Sequence, residues 1–428
     1  MSTLMQRLVI VCLLVHLNSF AWSNQIAITN ARIYTGTSQE WAEAVKIENG
    51  KFTYVGNAQD LKKHINSSTV LINMQGKVIL PGLIDAHTHP GYVAGASEMI
   101  ELPHTGTKED VFAALIDHVN STPGNDFIIG GYWKTSLFDE RGPTKEELDE
   151  VVSDRPVLLI DWSGHSQWLN SKALEVMGIN RDTPDPVPGL SFFYRDEDGN
   201  PTGWAKEFAV RQQLQALDLS GQFDANKLLG FLKYLRSVGV TTVYDAGNGG
   251  VGEEIYEILS ALDKNGRLPV RYEGSYHVIL PNQFNKAIET IKRWQKDYGG
   301  TRLNINTLKI HFDGMSEIGT SSVIDPFINN DNENRGGMIM TEKELHDLIL
   351  ELEEDAINLH IHSVGDRSTF SILNAVEAAR SSLNRELLIR ITLCHLGLIQ
   401  DEDFKRFSKL GVIANFTPQW HGGWIDGA

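Results

Sequence analysis

The chain has 428 residues, 41% hydrophobic and 22% charged, and a formal net charge of −17. That length can bury a large core, enough for two or three domains. The acidity argues against nucleic acid or an anionic membrane as partner, because both repel it.

The N-terminus reads as a targeting segment. Arg7 supplies a positive start, Leu8 to Leu17 is a short apolar run, and Ala21-Trp22-Ser23 offers small residues at the two positions a signal peptidase reads. The run is too short to cross a bilayer, which needs about 20 residues. Residues 1–23 are therefore expected to be a signal peptide, leaving a periplasmic or secreted protein with no membrane attachment. Cys12 lies in this segment behind Val11, not a small residue, which argues against a lipoprotein site. Cys394 is then the single cysteine of the mature chain, so no internal disulfide is expected.

Residues 24–80 read as short strands and turns around Ile26–Ile28, Ala44–Ile47, Lys51–Val55 and Val70–Ile72, with Asn49-Gly50 as a hairpin signal. Residues 81–90 follow as Pro-Gly-Leu-Ile-Asp-Ala-His-Thr-His-Pro. Side chains alternate faces along a strand, so His87 and His89 point the same way. Two imidazoles converging from a strand end make half of a transition-metal site. The alternative is an edge strand with two exposed histidines. The Pro-Gly corner, a Leu83-Ile84 pair that looks buried, and the strand-stopping Pro90 favour the metal.

Residues 91–222 carry many aromatics, among them Trp133, Trp162, Trp168 and Trp204, and many turns. They read as an insertion with its own core. From residue 223 the pattern is regular. Strands are expected near residues 243, 273, 308, 360, 392 and 414, separated by helices that include Glu253–Leu262, Gln283–Gln295, Arg367–Ala379 and Asp401–Leu410. Thr341-x-x-Glu344 is a capping box before a face of Leu345, Leu348 and Leu352. Repeated strand–helix alternation predicts a parallel α/β barrel. With the histidine strand first, the count reaches seven, and an eighth strand is expected beyond Ala428.

Active residues of such barrels sit at the C-terminal ends of strands. That rule selects Lys309, His311 and Asp313 on the fourth strand, His360 and His362 on the fifth, and His395 on the sixth. Each histidine alone could equally be a hydrogen-bonded interior residue.

These residues carry a resemblance. Pro81 to His89, Gly164-His165 with Asn170-Ser171, Lys309 with Asp313-Gly314, His362-x-x-Gly365-Asp366, His395 and Asn415-Phe416-Thr417-Pro418 are similar to amidohydrolase family 3 of the amidohydrolase superfamily. That branch includes enzymes resembling N-substituted formamide deformylase. The resemblance implies a (β/α)8 TIM-like metal-dependent hydrolase barrel, a small β-sandwich domain, and a large insertion after strand one. Residues 24–80 would be part of the sandwich. A metal-bound aspartate is implied at the end of strand eight. Asp426 is not that residue, because no strand precedes it, so the barrel reads as cut before strand eight.

The resemblance further implies His87 and His89 on one metal, His362 and His395 on a second, and Lys309 between them. Lysine's ammonium cannot bind a cation, but a buried lysine loses its proton readily. Reaction with carbon dioxide then gives an anionic bridge. The alternative is a lysine paired to Asp313, with Glu207 as the second choice of ligand. One or two zinc ions suit this donor set, and iron or manganese would also fit. His165 and Trp133 are expected over the barrel mouth and Asn415 at the pocket wall. His165 has two readings: a residue that touches substrate, or a packing histidine of the insertion. His311 and His360 read as supporting residues. The implied activity is hydrolysis of a non-peptide carbon–nitrogen bond in a small molecule by a metal-activated hydroxide. The alternatives are a mononuclear deaminase of the same superfamily, or a catalytically dead barrel that binds a small ligand.

Overall fold

A computed structural model describes residues 25–418 apart from 96–98, 104, 140, 218–223, 249–251 and 329–332. The expected signal peptide, Asp426 and any eighth strand lie outside the described residues. The chain divides into two compact units, one ending at Leu83 and the other beginning at Ile84.

The first unit contains β1 (Gln25–Thr29), β2 (Arg32–Tyr34), β3 (Trp41–Ala42), β4 (Ala44–Glu48), β5 (Lys51–Gly56), β6 (Val70–Asn73) and β7 (Val78–Ile79). They form a four-stranded sheet in the order β5-β4-β1-β6 and a three-stranded sheet in the order β3-β2-β7. β4 and β5 are antiparallel. Asn49 and Gly50 join them at φ 52° and 75°, the left-handed pair that a two-residue hairpin requires. Ala31, Ile33, Ala42 and Val45 make one small core, and Ala27, Ala44 and Leu61 another.

In the second unit β8 (Leu83–Thr88) carries the histidine motif. The insertion follows with β9 (Ile100–Glu101), β10 (Ile128–Trp133), β11 (Val157–Asp161), β12 (Ser166–Leu169), β13 (Phe193–Arg195) and β14 (Pro201–Lys206). These build a mixed sheet in the order β13-β14-β12-β11-β10-β9. Trp133, Trp168, Leu115 and Leu159 pack one of its cores.

The regular part supplies β15 (Val240–Asp245), β16 (Arg271–Val278), β17 (Leu303–His311), β18 (Asn358–Ser363), β19 (Ile391–His395) and β20 (Ile413–Phe416). With β8 they form one sheet in the order β20-β19-β18-β17-β16-β15-β8, and the ladders from β15 to β20 are parallel. Helices Glu254–Lys264, Ala287–Tyr298, Glu342–Glu354, Asp366–Leu383 and Asp401–Leu410 intervene. The Thr341 hydroxyl accepts the Glu344 amide hydrogen, and Glu344 accepts the Thr341 amide. This closes two orphan donors and turns Leu345, Leu348, Ile349 and Leu352 inward. Gly411, at φ 70°, ends the last helix. The helix expected from Gln283 begins instead at Ala287. Pro281 opens a short 3-10 turn, and Gln283 spends its Oε1 accepting the Ile279 and Leu280 amides.

The barrel is nearly closed. β8 and β20 are the two ends of the sheet, and among the described residues they meet through a side chain: Asn415 Nδ2 donates to the Ala86 carbonyl over 2.9 Å. Leu83 and Ile84 are not buried as their sequence suggests. They are 57% and 68% exposed, because among the described residues β8 has a ladder partner on one side only.

Candidate metal centre

The pleat and the parallel register decide what faces the barrel interior. Lys309 pairs with His360 and His311 with His362 across β17 and β18. His362 pairs with Cys394 and Ser363 with His395 across β18 and β19. Alternate residues of neighbouring strands therefore converge. Ring centroids lie 5.1 Å apart for His87 and His89, 4.6 Å for His87 and His395, and 4.6 Å for His362 and His395. His360 joins them 5.4 Å from His87. His395 itself sits at φ 77°, a strained conformation of the kind that clusters at functional sites.

Three of these imidazoles are oriented by hydrogen-bonding neighbours. His89 Nδ1 lies 2.6 Å from the Gly247 carbonyl, His395 Nδ1 2.8 Å from the Thr417 hydroxyl, and His362 Nε2 3.4 Å from the Gly314 carbonyl. Donating one ring N–H this way fixes the tautomer and leaves the other nitrogen as a lone-pair donor. Gly247 is held by Asp245, which accepts its amide at 3.0 Å and the Tyr272 hydroxyl at 2.9 Å. Both ring nitrogens of His87 are buried with no hydrogen-bond partner among the described residues. Burial, with smaller effects from Lys309 and His89, pushes His87 down to about 2, and burial takes His89 down to about 4. Burial also drives His362 and His395 well below the usual histidine range. Neutral imidazole is the form that binds metal. The donor atoms of His87, Cys394 and His395 all lie within 4.8 Å of one another. An orphaned, neutral His87 in such company fits a bound cation.

Lys309 is buried, and its Nζ donates to Cys394 Sγ over 3.0 Å. Among the described residues no carboxylate is in ion-pair range of it. Asp313, the pairing alternative, is occupied elsewhere. It accepts the amides of Ser322 (3.1 Å), Val364 (3.0 Å) and Gly365 (2.8 Å) and the Ser368 hydroxyl (2.6 Å), tying the loops after β17 and β18 together. Burial nevertheless raises it to about 7.

A second group abuts the first. His165, from the insertion, places Nδ1 2.5 Å from Glu207 Oε2, and His311 places Nε2 3.1 Å from the same oxygen. Glu207 Oε1 accepts the Thr320 hydroxyl (2.6 Å) and the Met315 amide (3.3 Å). These three donors too lie within 4.8 Å of one another. The His311 ring is 4.2 Å from that of His362, and the His165 ring 6.0 Å from it. Burial alone would raise Glu207. The two imidazoles outweigh it and hold the carboxylate below its usual range, while Glu207 overcomes burial and raises His165. Gly314 is required here, since a Cβ would strike Glu207 Oε1 and Thr320.

One residue expected at the pocket sits in another core. Trp133 is fully buried in the insertion's own core, its ring 5.5 Å from Phe138 and its Nε1 bonded to the Leu159 carbonyl. A large apolar ring gains more from that aromatic cluster than from a wet pocket. Asn415 spends its amide on β8. Cys394 and the Glu207–His311 contact were not singled out from sequence. Strand alternation puts Lys309 and His311 on one face of β17 and so signals His311, whereas Glu207 reads from sequence only as a second choice of ligand, because nothing local marks its histidine contacts.

A parallel strand–helix barrel with neutral histidines gathered at its strand ends is the frame of a metal-dependent hydrolase. The chain matches the amidohydrolase family over residues 70–427 and belongs to it. It is 29% identical over 400 residues to the exoenzymes regulatory protein AepA of Pectobacterium carotovorum, covering 91% of this chain and 84% of that one. It is 26% identical over 412 residues to the N-substituted formamide deformylase of Arthrobacter pascens, covering 93% and 74%. In fold it is similar to the crystal structure of an uncharacterized metal-dependent hydrolase from Pyrococcus horikoshii, with TM-score 0.65, 21% identity, and coverage of 92% and 75%.

Proposed function

We propose that this hydrolase cleaves a non-peptide carbon–nitrogen bond in an amide, formamide or cyclic amide of a small molecule. The shielded ring nitrogens of His87, unpartnered among the described residues, beside His89, His395 and Lys309 carry the reading. His87, His89, His362 and His395 would hold one or two divalent ions. Lys309, buried without a carboxylate partner among the described residues, would join them as its carbamate. A bound metal supplies Lewis acidity toward the carbonyl and acidifies water.

The chain's own residues do the rest. Glu207 holds the Nδ1 proton of His165, so Nε2 is the position free to exchange a proton. His165 gives that proton to the departing nitrogen and recovers it from water. Glu207 also tethers the insertion to the fourth barrel strand through His311, which keeps His165 in place over the reacting bond.

A second reading is a mononuclear site. The close grouping of His87, Cys394 and His395 favours it. Plasma mass spectrometry of the purified protein separates the two, with two ions per chain expected and one supporting the mononuclear site. The activity is tested by amine release from N-substituted formamides and simple acylamides. A metal-free protein, or a loaded one that releases no amine from any of them, would overturn the proposal. Export, proposed from residues 1–23, is tested by cell fractionation.

A further inference from the structure

Cys394 is a buried nucleophile that hydrolysis leaves idle. It lies on β19 with its side chain fully shielded, and it is the one free cysteine among the described residues. Its thiol donates to the Ile361 carbonyl over 3.3 Å, and its sulfur accepts a hydrogen from Lys309 Nζ over 3.0 Å. β18 lies between β17 and β19, so the lysine crosses a whole strand to meet the sulfur. Among the described residues Sγ is the sole hydrogen-bond partner of Nζ. The sulfur also lies within 4.8 Å of donor atoms of His87 and His395. A molecule the size of water that reaches the metal positions therefore reaches the sulfur too.

A neutral amine is what a carbamate on Lys309 requires. The same lone pair, 3.0 Å from the sulfur, is placed to attack it once the sulfur is oxidised. Oxidised cysteines condense with a nearby thiol to a disulfide or with a nearby nitrogen to a sulfenamide. No second thiol stands near Cys394 among the described residues, and an amine touches it. Burial pushes the thiol up and Lys309 opposes that shift, so the lysine both favours oxidation and traps its product.

We infer that Cys394 and Lys309 form a reversible oxidative cross-link that closes the centre to metal. Hydrogen peroxide oxidises the thiol by two electrons to a sulfenic acid; one of its oxygens stays on sulfur and the other leaves as water. The Nζ lone pair then forms the S–N bond, the S–O bond breaks, and the hydroxyl leaves with an Nζ proton as water. Two equivalents of an external thiol reverse this, returning the cysteine thiol and the lysine amine and leaving the external thiols as a disulfide. The inference rests on Lys309 as an ion-bridging residue and adds a covalent state in which that residue is held on sulfur instead.

The test treats the full chain with hydrogen peroxide, half of it as purified with metal and half stripped by a chelator, and reads both by mass spectrometry. The stripped half should become lighter by two hydrogens, with the peptides of Cys394 and Lys309 joined. The loaded half should react more slowly, because Lys309 is engaged. The joined protein should take up no metal until dithiothreitol restores it. Cys394→Ser should show no cross-link and should hold the same metal content before and after peroxide. Oxygen adducts alone, no reaction, equal rates in the two halves, or a cross-linked protein that loads metal normally would overturn the inference. Should the stripped half lose its fold by circular dichroism, the loaded half decides: a slow cross-link there that is absent from Cys394→Ser supports the inference, and oxygen adducts alone overturn it. These readouts need no turnover, so they fail separately from the proposed hydrolysis, which is judged by amine release from untreated protein.

Discussion

Glu207→Gln is the most informative single change. Glu207 is the one group that holds His165, His311, Thr320 and the Met315 amide together. Glutamine keeps one acceptor oxygen, which can still serve Thr320 and Met315. Its amide then faces the two imidazoles without the negative charge that favours them. Hydrogen bonds to a charged group contribute about 1.5–3 kcal/mol each, so two such contacts amount to roughly 3–6 kcal/mol. Removing one member of a buried ion pair costs about 3–5 kcal/mol, which agrees. Denaturant unfolding should show that loss. Thr320→Val removes the hydroxyl that donates to Glu207 and accepts the Met315 amide and should cost about 1.5–3 kcal/mol. Hydrolysis should fall by about 100-fold or more in Glu207→Gln, the usual loss when a general acid is misplaced. His165→Gln should lose a similar factor, and the double variant little more, because the two act as one unit. Stability within about 1 kcal/mol of wild type with unchanged kcat, or strictly additive losses, would refute the assignment.

Further outcomes follow from other parts of the molecule. His87→Ala should purify with at least one metal ion fewer per chain while keeping its far-ultraviolet circular dichroism, since among the described residues the His87 ring makes no hydrogen bond whose loss would disturb the fold. Trp133→Ala should cost about 3–5 kcal/mol by opening a cavity in the insertion core, with a smaller effect on KM than on stability. Asp245 is raised to about 6 by burial, above its unfolded value. The stability it contributes is present below about pH 4 and lost as pH rises through about 6, and the full difference is about 3 kcal/mol for a shift of about two units. The melting-temperature advantage of wild type over Asp245→Asn should therefore shrink between pH 5 and pH 7.5. An advantage that grows over that interval would contradict the burial argument.

Local rules made much of this molecule legible in advance. A period of two puts His87 and His89 on one face, a capping box opens the helix at Glu342, and Asn49-Gly50 turns a hairpin. In each case the residues that decide the outcome are neighbours in the chain. The same periodicity exposed the strand ends that carry Lys309, His362 and His395, because a parallel barrel sends every strand's C-terminal end to one side.

Other properties depend on what lies across space. Glu207 meets a histidine 42 residues before it and another 104 residues after it, and no short-range pattern marks such a partner. Trp133 looks like a pocket residue by composition, yet Phe138 and Trp168 enclose it. Leu83 and Ile84 read as buried because they are apolar, but burial needs a neighbour on the open side of β8.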